Sequence, residues 1–121
     1  MFGLNLNNKL INLKIGIISM VLAYIICKDN NEAEKIATHL LKKRLIACAN
    51  MFSIKSMYWW NHRIARENET VVIAKTTGKN FKKVESEAKK IHSYKIPCIM
   101  RLDAKANKEY ESWINSELKD K

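Results

Sequence analysis

The sequence predicts an α+β sandwich, in which an antiparallel sheet carries two helices on one face and a further helix follows at the C-terminus. Two observations support this class. Apolar runs rich in β-branched residues alternate along the chain with amphipathic segments of helical period. These segments follow in the order β-α-β-β-α-β and then α, which is the split-βαβ, ferredoxin-like arrangement. Because many unrelated functions use this arrangement, function has to be inferred from particular residues.

Most of the chain is predicted to be one domain. The 121 residues provide room for a single ordinary domain, which we place at residues 20–121. We interpret residues 1–19 as an N-terminal extension, either flexible or translated from a wrongly chosen start, because Met20 directly precedes the first predicted strand. The apolar stretch in this extension is interrupted by Asn12 and Lys14 and lacks a clear cleavage site. We therefore predict neither a signal peptide nor a membrane segment.

The first β-α unit has a clear pattern. Val21 to Cys27 is a nearly continuous apolar run, as expected of a strand that is covered on both faces. Asp29 predicts a helix N-cap, and Glu32 follows three residues later, as in a capping box. The apolar residues of the helix then recur at helical spacing. They are Ala33, Ile36, Ala37, Leu40 and Leu41.

Two segments predict a long β-hairpin. Residues 46–60 alternate between two sets of positions, and Thr70 to Thr76 is a second β-branched strand. A polar break at residues 61–63 separates them and leads into a charged run before Thr70. The hairpin is thus expected to have two regular strands joined by a polar connection.

Three consecutive aromatic residues, Tyr58, Trp59 and Trp60, form the most distinctive local feature of the hairpin. Because neighbouring side chains on a strand point to opposite faces, the three cannot all enter one core. At least one must lie on another surface. We expect these aromatic residues to form a subunit interface.

The last third of the chain predicts a helix, a strand and a further helix. The buried stripe of the first of these helices consists of Phe81, Val84, Ala88 and Ile91. Pro97 fits the start of a last strand, Cys98 to Leu102, where a proline loses no central ladder hydrogen bond. Asn107 is predicted to cap the final helix. The inner face of that helix is expected to contain Tyr110, Trp113, Ile114 and Leu118.

The charge is strongly positive. Twenty-two Lys and Arg residues against twelve Asp and Glu residues give a net charge of +10, yet only four of the basic residues are Arg. A basic chain is compatible with nucleic-acid binding, but proteins that read phosphates or base edges rely on Arg. The abundance of Lys, Asn and Ile would also follow from an AT-rich genome. We therefore predict no nucleic-acid partner.

The chain has three cysteines, Cys27, Cys48 and Cys98, widely spaced and without a C-x-x-C pair. This odd number and wide spacing fit neither a disulfide framework nor a zinc ribbon. They favour a protein of the reducing cytoplasm. No local pattern supports a nucleophile with its base, and a Gly-rich phosphate loop is missing. The sequence thus predicts a cytoplasmic protein that is not an enzyme.

His92 is the strongest candidate for a metal ligand. It ends a predicted helix, where a cationic imidazole would be stabilised by the helix dipole. Alternatively, its ring nitrogen binds Cu or Zn together with a thiolate from Cys48, Cys98 or Cys27. Neither metal would be an obligatory cofactor. The ligand spacing leaves both interpretations open.

Five blocks of the sequence together resemble the CutA divalent-cation tolerance family. They are Ala37–Asn50 (ATHLLKKRLIACAN), Ser56–Trp60, Val72–Thr77, His92–Pro97 and Tyr110–Trp113. The resemblance implies a ferredoxin-like subunit similar in shape to PII signalling proteins. It further implies a compact cytoplasmic homotrimer built by edge-to-edge pairing of long hairpins. The implied function is tolerance of divalent metals, copper above all, through binding and without catalysis.

The resemblance also assigns site residues. His92 and Tyr94 match a His-Pro-Tyr block of the family, with Ser93 in place of the proline. Cys48 matches a common strand cysteine of the family, so we expect His92 and Cys48 to be the principal metal ligands. Some members have a cysteine in the first strand two residues before Cys27, and since residues i and i+2 share a face, Cys27 is expected to substitute for it.

Lys95 and Cys98 stand where acidic residues are common in the family, which implies a softer site suited to Cu(I) or Zn. An alternative function is a PII-type regulatory trimer, which binds a small anionic ligand or a partner protein in clefts between subunits. Lys75, Tyr94, Lys95 and Arg101 would line these clefts.

Overall fold

The computed structural model describes residues 20–118, so the predicted extension over residues 1–19 lies outside the described part of the chain. The described elements follow in the predicted order. They are β1 (Met20–Cys27), α1 (Asn30–Lys42), β2 (Cys48–Trp60), β3 (Arg63–Thr77), α2 (Phe81–Ile91), β4 (Ile99–Asp103) and α3 (Lys108–Glu117).

The sheet has the predicted antiparallel topology, with strand order β2-β3-β1-β4. Alternate residues of β1 pack against the buried stripes of α1 and α2. We call this side of the sheet the helix face and the opposite side the open face. The core contains Ala23, Ile25, Cys27, Ile36, Leu40, Val72, Ala74, Val84 and Ala88. The predicted ferredoxin-like class is confirmed.

The start of α1 follows from its capping residues. Asp29 is the N-cap, and its carboxylate accepts a hydrogen bond from the backbone N–H of Glu32 at 2.9 Å. Glu32 does not return a hydrogen bond to Asp29 as a regular capping box would. Its Oε1 atom accepts from the backbone N–H of Lys28 instead, at 2.9 Å. The other carboxylate oxygen of Glu32 is thereby available to another part of the chain.

The hairpin is longer than predicted. The expected polar break at residues 61–63 is a two-residue turn, Asn61-His62, whose φ angles of 49° and 63° are those of a type I′ turn. Strand β3 already begins at Arg63, so the predicted start at Thr70 was wrong. Residues 63–68 are exposed apart from the partly buried Ala65, so both faces of the hairpin are open there and no apolar alternation marks the strand. Glu69, directly before Thr70, is already buried.

The outer part of the hairpin extends beyond the rest of the sheet. Strand β1 pairs with β3 only from Thr70 to Thr77, whereas β2 and β3 remain paired out to Trp60 and Arg63. Residues 54–69, which we call the ribbon, therefore project by roughly 20 Å. Trp59 is 74% exposed and Trp60 is 57% exposed on this ribbon.

Two predicted details near the C-terminus differ from the structure. Strand β4 begins at Ile99, one residue after the predicted Cys98, although the Cys98 carbonyl still accepts from the N–H of Ile26 at 3.2 Å. Asn107 occupies the N-cap of α3 without a capping hydrogen bond from its side chain. Glu111 compensates by accepting from the N–H of Ala106 at 2.9 Å.

The inner face of α3 is only partly buried. Ile114 is fully buried, but Trp113 is 42% exposed, contrary to the predicted burial of this face. Tyr110 meets the open face through its hydroxyl, which accepts from Lys75 Nζ at 3.1 Å. A ten-residue helix presents too narrow a contact to enclose several large side chains.

The Asp29 cap generates a stability prediction. Asp29→Ala leaves an N–H of the first turn of α1 without its acceptor and is expected to lower the free energy of unfolding by about 1 kcal/mol. Urea denaturation at fixed protein concentration measures this change. Asp103→Ala is the matched control, because Asp103 is 81% exposed and pairs only at the surface with Arg101. Equal losses in the two variants would contradict the capping role of Asp29.

Candidate metal centre

Three elements meet at a buried group of potential metal ligands. Cys27 ends β1, Glu32 lies in the first turn of α1, and His92 follows the last residue of α2. One ligand atom from each of them lies within 4.8 Å of the others. The His92 side chain is 0% exposed, and the Glu32 side chain is 6% exposed. We call this group the Cys27–Glu32–His92 cluster.

Both ring nitrogens of His92 are engaged by backbone groups. Nε2 lies 2.8 Å from the carbonyl oxygen of Ile26, which can only accept, so we assign the ring proton to Nε2. Nδ1 then carries the lone pair and accepts the backbone N–H of Tyr94 at 3.0 Å. These two contacts orient the ring, and the buried side chain is not solvated as a helix-terminal surface residue would be.

Glu32 holds the loop after α2 as well as the start of α1. Its Oε2 atom accepts the backbone N–H of Ser93 at 2.7 Å, and its Oε1 atom accepts that of Lys28. Burial disfavours the charged form, but the hydrogen bonds from Lys28 and Ser93 outweigh this effect and lower the pKa of Glu32 below its ordinary value. The cluster therefore contains a carboxylate at neutral pH.

Cys27 is the protonated member of the cluster. Burial, and after it the negative charge of Glu32, raises the pKa of the Cys27 thiol to about 12. A metal cation that binds the sulfur must therefore displace a proton, because the thiolate is the form that coordinates.

The donor set suits a borderline or soft divalent ion. A thiol, an imidazole and a carboxylate are the ligands that Zn²⁺ and Cu²⁺ accept, whereas Mg²⁺ and Ca²⁺ prefer oxygen alone. His92 Nδ1 and Glu32 Oε2 are 4.0 Å apart. Tetrahedral bonds of about 2.0–2.2 Å hold two ligand atoms roughly 3.4 Å apart, so a bound ion would draw these two atoms together by about half an Å. The residues fit such an ion chemically, although the His92 lone pair is already used by Tyr94.

The structure brings only some of the predicted ligands together. Cys27 and His92 meet in the cluster, whereas Cys48 and Cys98 lie on the open face. The expected pairing of Cys48 with His92 is therefore not formed within one subunit, because the two residues lie on opposite faces of the sheet. The strand register places Cys48 in line with Leu22, while the Cys98 carbonyl pairs with Ile26, four residues further along β1. The spacing of strands and residues then separates the two thiols by roughly 20 Å. Within one subunit they share no site.

Glu32 is the ligand that the sequence analysis did not identify. Its position three residues after Asp29 predicted a role in capping, and that pattern gave no reason to pair it with His92. The two residues are 60 positions apart in the chain and approach only because α1 and α2 pack on the same face. The pairing of a helix start with a helix end is a tertiary contact without a local signal.

A cleft of about 650 Å³ lies beside the cluster, between the ribbon and the loop that follows His92. Two phenols donate to two carboxylates along its wall. Tyr58 donates to Glu67 at 2.6 Å, and Tyr94 donates to Glu69 at 2.5 Å. The contact with Glu67 raises the pKa of Tyr58 to about 12. The other lining residues are Ile26, Trp59, Trp60, Ala65, Ser93, Lys95, Ile96 and Cys98.

The four residues predicted to bind an anion do not form one group within a subunit. Lys75 donates to the Tyr110 hydroxyl, and its Nζ lies 5.1 Å from the centre of that ring. Arg101 pairs with Asp103 at 3.1 Å. Tyr94 and Lys95 do line the same cleft, but Glu67 and Glu69 line it as well. An acidic wall disfavours an anion at that position.

The fold and the cluster define a small ferredoxin-like protein with a projecting ribbon and a buried thiol, carboxylate and imidazole. The sequence model of the family described as CutA1 divalent ion tolerance protein matches residues 21–117. The chain therefore belongs to the CutA1 divalent ion tolerance family. This is a family of divalent-cation tolerance proteins and not a known enzyme family.

Individual relatives agree with this assignment. The divalent-cation tolerance protein CutA of Archaeoglobus fulgidus is 42% identical over 93 residues, which are 76% of this chain and 91% of that protein. The CutA protein of Pyrococcus horikoshii is 36% identical over 83% of this chain and 99% of its own length.

Solved structures show the same fold. The CutA structure from Archaeoglobus fulgidus, described as periplasmic, has a TM-score of 0.81 and 39% identity and covers 83% of this chain and 99% of that one. The CutA1 structure from Ehrlichia chaffeensis also has a TM-score of 0.81, with 33% identity and coverage of 84% and 97%. Over residues 20–118, no helix has the length and apolarity needed to span a bilayer.

The hydrogen bonds of Glu32 generate a pH-dependent prediction. The pKa of Glu32 is lower in the folded chain than the ordinary value of 4.5, so as the pH falls the unfolded chain binds this proton first. Its stabilisation is therefore present above about pH 4.5 and is lost as the pH falls through the folded pKa. Glu32→Gln should lower the free energy of unfolding by about 2 kcal/mol at pH 7.

Denaturation of both proteins between pH 3 and 7 tests this prediction. The difference in free energy of unfolding between wild type and variant should become smaller at the acidic end. Glu85→Gln serves as the control, because Glu85 forms a partly exposed pair with Lys89 on the same helix layer. If the free energy that Glu32→Gln costs stayed constant over this range, the predicted pH dependence of the Glu32 stabilisation would be contradicted.

Proposed function

We propose that this protein binds a divalent cation, copper or zinc, at the Cys27–Glu32–His92 cluster, and that this binding underlies metal tolerance. The observation that carries the proposal is the convergence of three buried ligand types from β1, α1 and α2. Relatives named for divalent-cation tolerance support it. A thiol beside an imidazole favours copper or zinc over magnesium or calcium. Binding, without a catalytic step, accounts for this role.

Cys48 and Cys98 have a secondary place in the proposal. Both are partly exposed on the open face and are free thiols, as is the buried Cys27. Since they lie far apart in one subunit, either would join a cation site only across a contact between subunits. Three free thiols also support a reducing, cytoplasmic location.

We further propose that the chain forms a homotrimer through the ribbon, with Tyr58, Trp59 and Trp60 at the contact. An isolated two-stranded hairpin is marginally stable in water, and this ribbon lacks cover from β1. Its tryptophans expose apolar area that a subunit contact would bury. A trimer also pairs sheet edges that would otherwise remain open.

The alternative is a PII-like regulatory trimer that holds a small anionic ligand or a partner protein between subunits. The net charge of +10 and the position of Lys95 in the cleft favour it. Lys75, Tyr94 and Arg101 would have to leave their present partners or be completed by another subunit. This alternative needs no cation, so the binding experiment below separates it from the main proposal.

Equilibrium dialysis with Zn²⁺ and Cu²⁺ tests the cation site. We expect wild type to bind, with affinity rising about tenfold per pH unit between pH 6 and 8, because each ion displaces one proton from a thiol that is protonated throughout this range. Cys27→Ser should bind at least about tenfold more weakly and lose most of this pH dependence, and His92→Ala should also weaken binding at least about tenfold.

Cys48→Ser is the matched control, since it removes a thiol outside the cluster. Unchanged affinity is expected for a site within one subunit, whereas a loss equal to that of Cys27→Ser would place the site across a subunit contact. Circular dichroism verifies that each variant is folded. Equal binding by wild type, Cys27→Ser and His92→Ala would contradict the assignment of the cluster as the cation site.

Sedimentation velocity tests the assembly. Wild type at micromolar concentration should sediment with three times the mass of one chain, and the double variant Trp59→Ser/Trp60→Ser should shift to single subunits. Trp113→Ser is the control, because Trp113 is an exposed tryptophan on α3, outside the ribbon. A folded wild-type monomer would contradict the trimer, and an intact trimer of the double variant would contradict the aromatic interface.

A further inference from the structure

Cation binding at His92 and the present position of the following loop exclude one another. A cation at Nδ1 takes the lone pair that now accepts the Tyr94 N–H. A cation at Nε2 displaces the Ile26 carbonyl and moves the ring proton to Nδ1, so that two N–H donors face each other. The hydrogen bond to Tyr94 is lost in both cases. This conclusion depends on the single lone pair of a neutral imidazole and not on which nitrogen coordinates.

Tyr94 links the cluster to the cleft. Its backbone N–H reaches His92 on the helix side of the sheet, and its ring lies 5.0 Å from the His92 ring, centre to centre. Its hydroxyl reaches Glu69, which shares the open face with Val71 and Ile73. Tyr94 thus passes around the end of β1 and is fixed at both of its ends.

The loop that carries Tyr94 is also a wall of the cleft. Ser93, Tyr94, Lys95 and Ile96 line it opposite the ribbon. The first two backbone N–H groups of this loop are held by Glu32 and His92, which are the candidate ligands themselves. A change at the ligands therefore acts directly on one side of the cleft.

We propose that Tyr94 is a positioning residue that competes with the cation for His92, so that cation binding releases the loop and reshapes the cleft. Linkage makes the effect reciprocal, and contacts that hold Tyr94 in place lower the affinity for the cation. This proposal rests on the proposed cation site. The phenol of Tyr94 thereby lowers the affinity for the cation without being a ligand itself.

Hydrogen exchange followed by mass spectrometry tests the release of the loop. The probe is Zn²⁺, because it has no redox chemistry, and dialysis of the same sample verifies that zinc is bound. We expect the amides of residues 93–96 to exchange faster with zinc than without it, the opposite of the protection that ligands usually confer. Unchanged or slower exchange with zinc bound would overturn the proposal and leave the cation site standing. If no zinc binds, the proposed function fails and the competition fails with it.

The variant Tyr94→Phe tests the role of the phenol. It retains the backbone N–H and the aromatic ring but loses the contact with Glu69, so the loop is held less firmly. Zinc affinity should rise by roughly tenfold to hundredfold, the effect of one hydrogen bond to a charged group. Tyr58→Phe is the matched control, because it removes the other phenol–carboxylate contact of the cleft without touching the loop. Equal or weaker zinc binding by Tyr94→Phe than by wild type would overturn the proposal.

Discussion

Two consecutive backbone N–H groups, those of Ser93 and Tyr94, are received by the side chains of Glu32 and His92. This contact joins the start of α1, the end of α2 and the loop between α2 and β4 at one buried point. Buried polar groups of this kind are stable only when every member has a partner. Here each oxygen of Glu32 and each nitrogen of His92 has one. The network therefore connects these three elements even without a cation.

The same buried network sets the protonation states of the candidate ligands. Burial holds Cys27 as a thiol, while backbone donors hold Glu32 as a carboxylate. Two acidic groups a few Å apart thus have opposite protonation states at neutral pH for identifiable reasons. Protein groups already occupy the places that a cation would take, so binding is an exchange of partners and not the filling of an empty pocket. Such an exchange connects cation occupancy to the position of nearby backbone.

The ribbon imposes a second constraint on the molecule. Strand β1 supports β3 only up to Thr70, and the paired strands continue without cover to the turn at Asn61. A type I′ turn there fixes the register of both strands and places Tyr58 and Trp60 on one face and Trp59 on the other. The cleft exists because the loop after His92 lies against this uncovered segment. The open side of the cleft and the aromatic surface are thus consequences of one difference in strand length.

The sequence by itself determined the order of elements, the helical stripes and the capping of α1, because these depend on periods of two and 3.6 residues and on short-range polar contacts. It also identified His92 and the aromatic residues of the ribbon as unusual, and it gave Cys27 as one of three candidate thiols. The early start of β3 was not predicted, because a strand exposed on both faces carries no alternating pattern. Only the tertiary structure decided which thiol meets His92, because the choice among Cys27, Cys48 and Cys98 depends on the face and row of the sheet. It also placed Glu32 beside His92, which the sequence did not predict because contacts between residues distant in the chain leave no periodic signal.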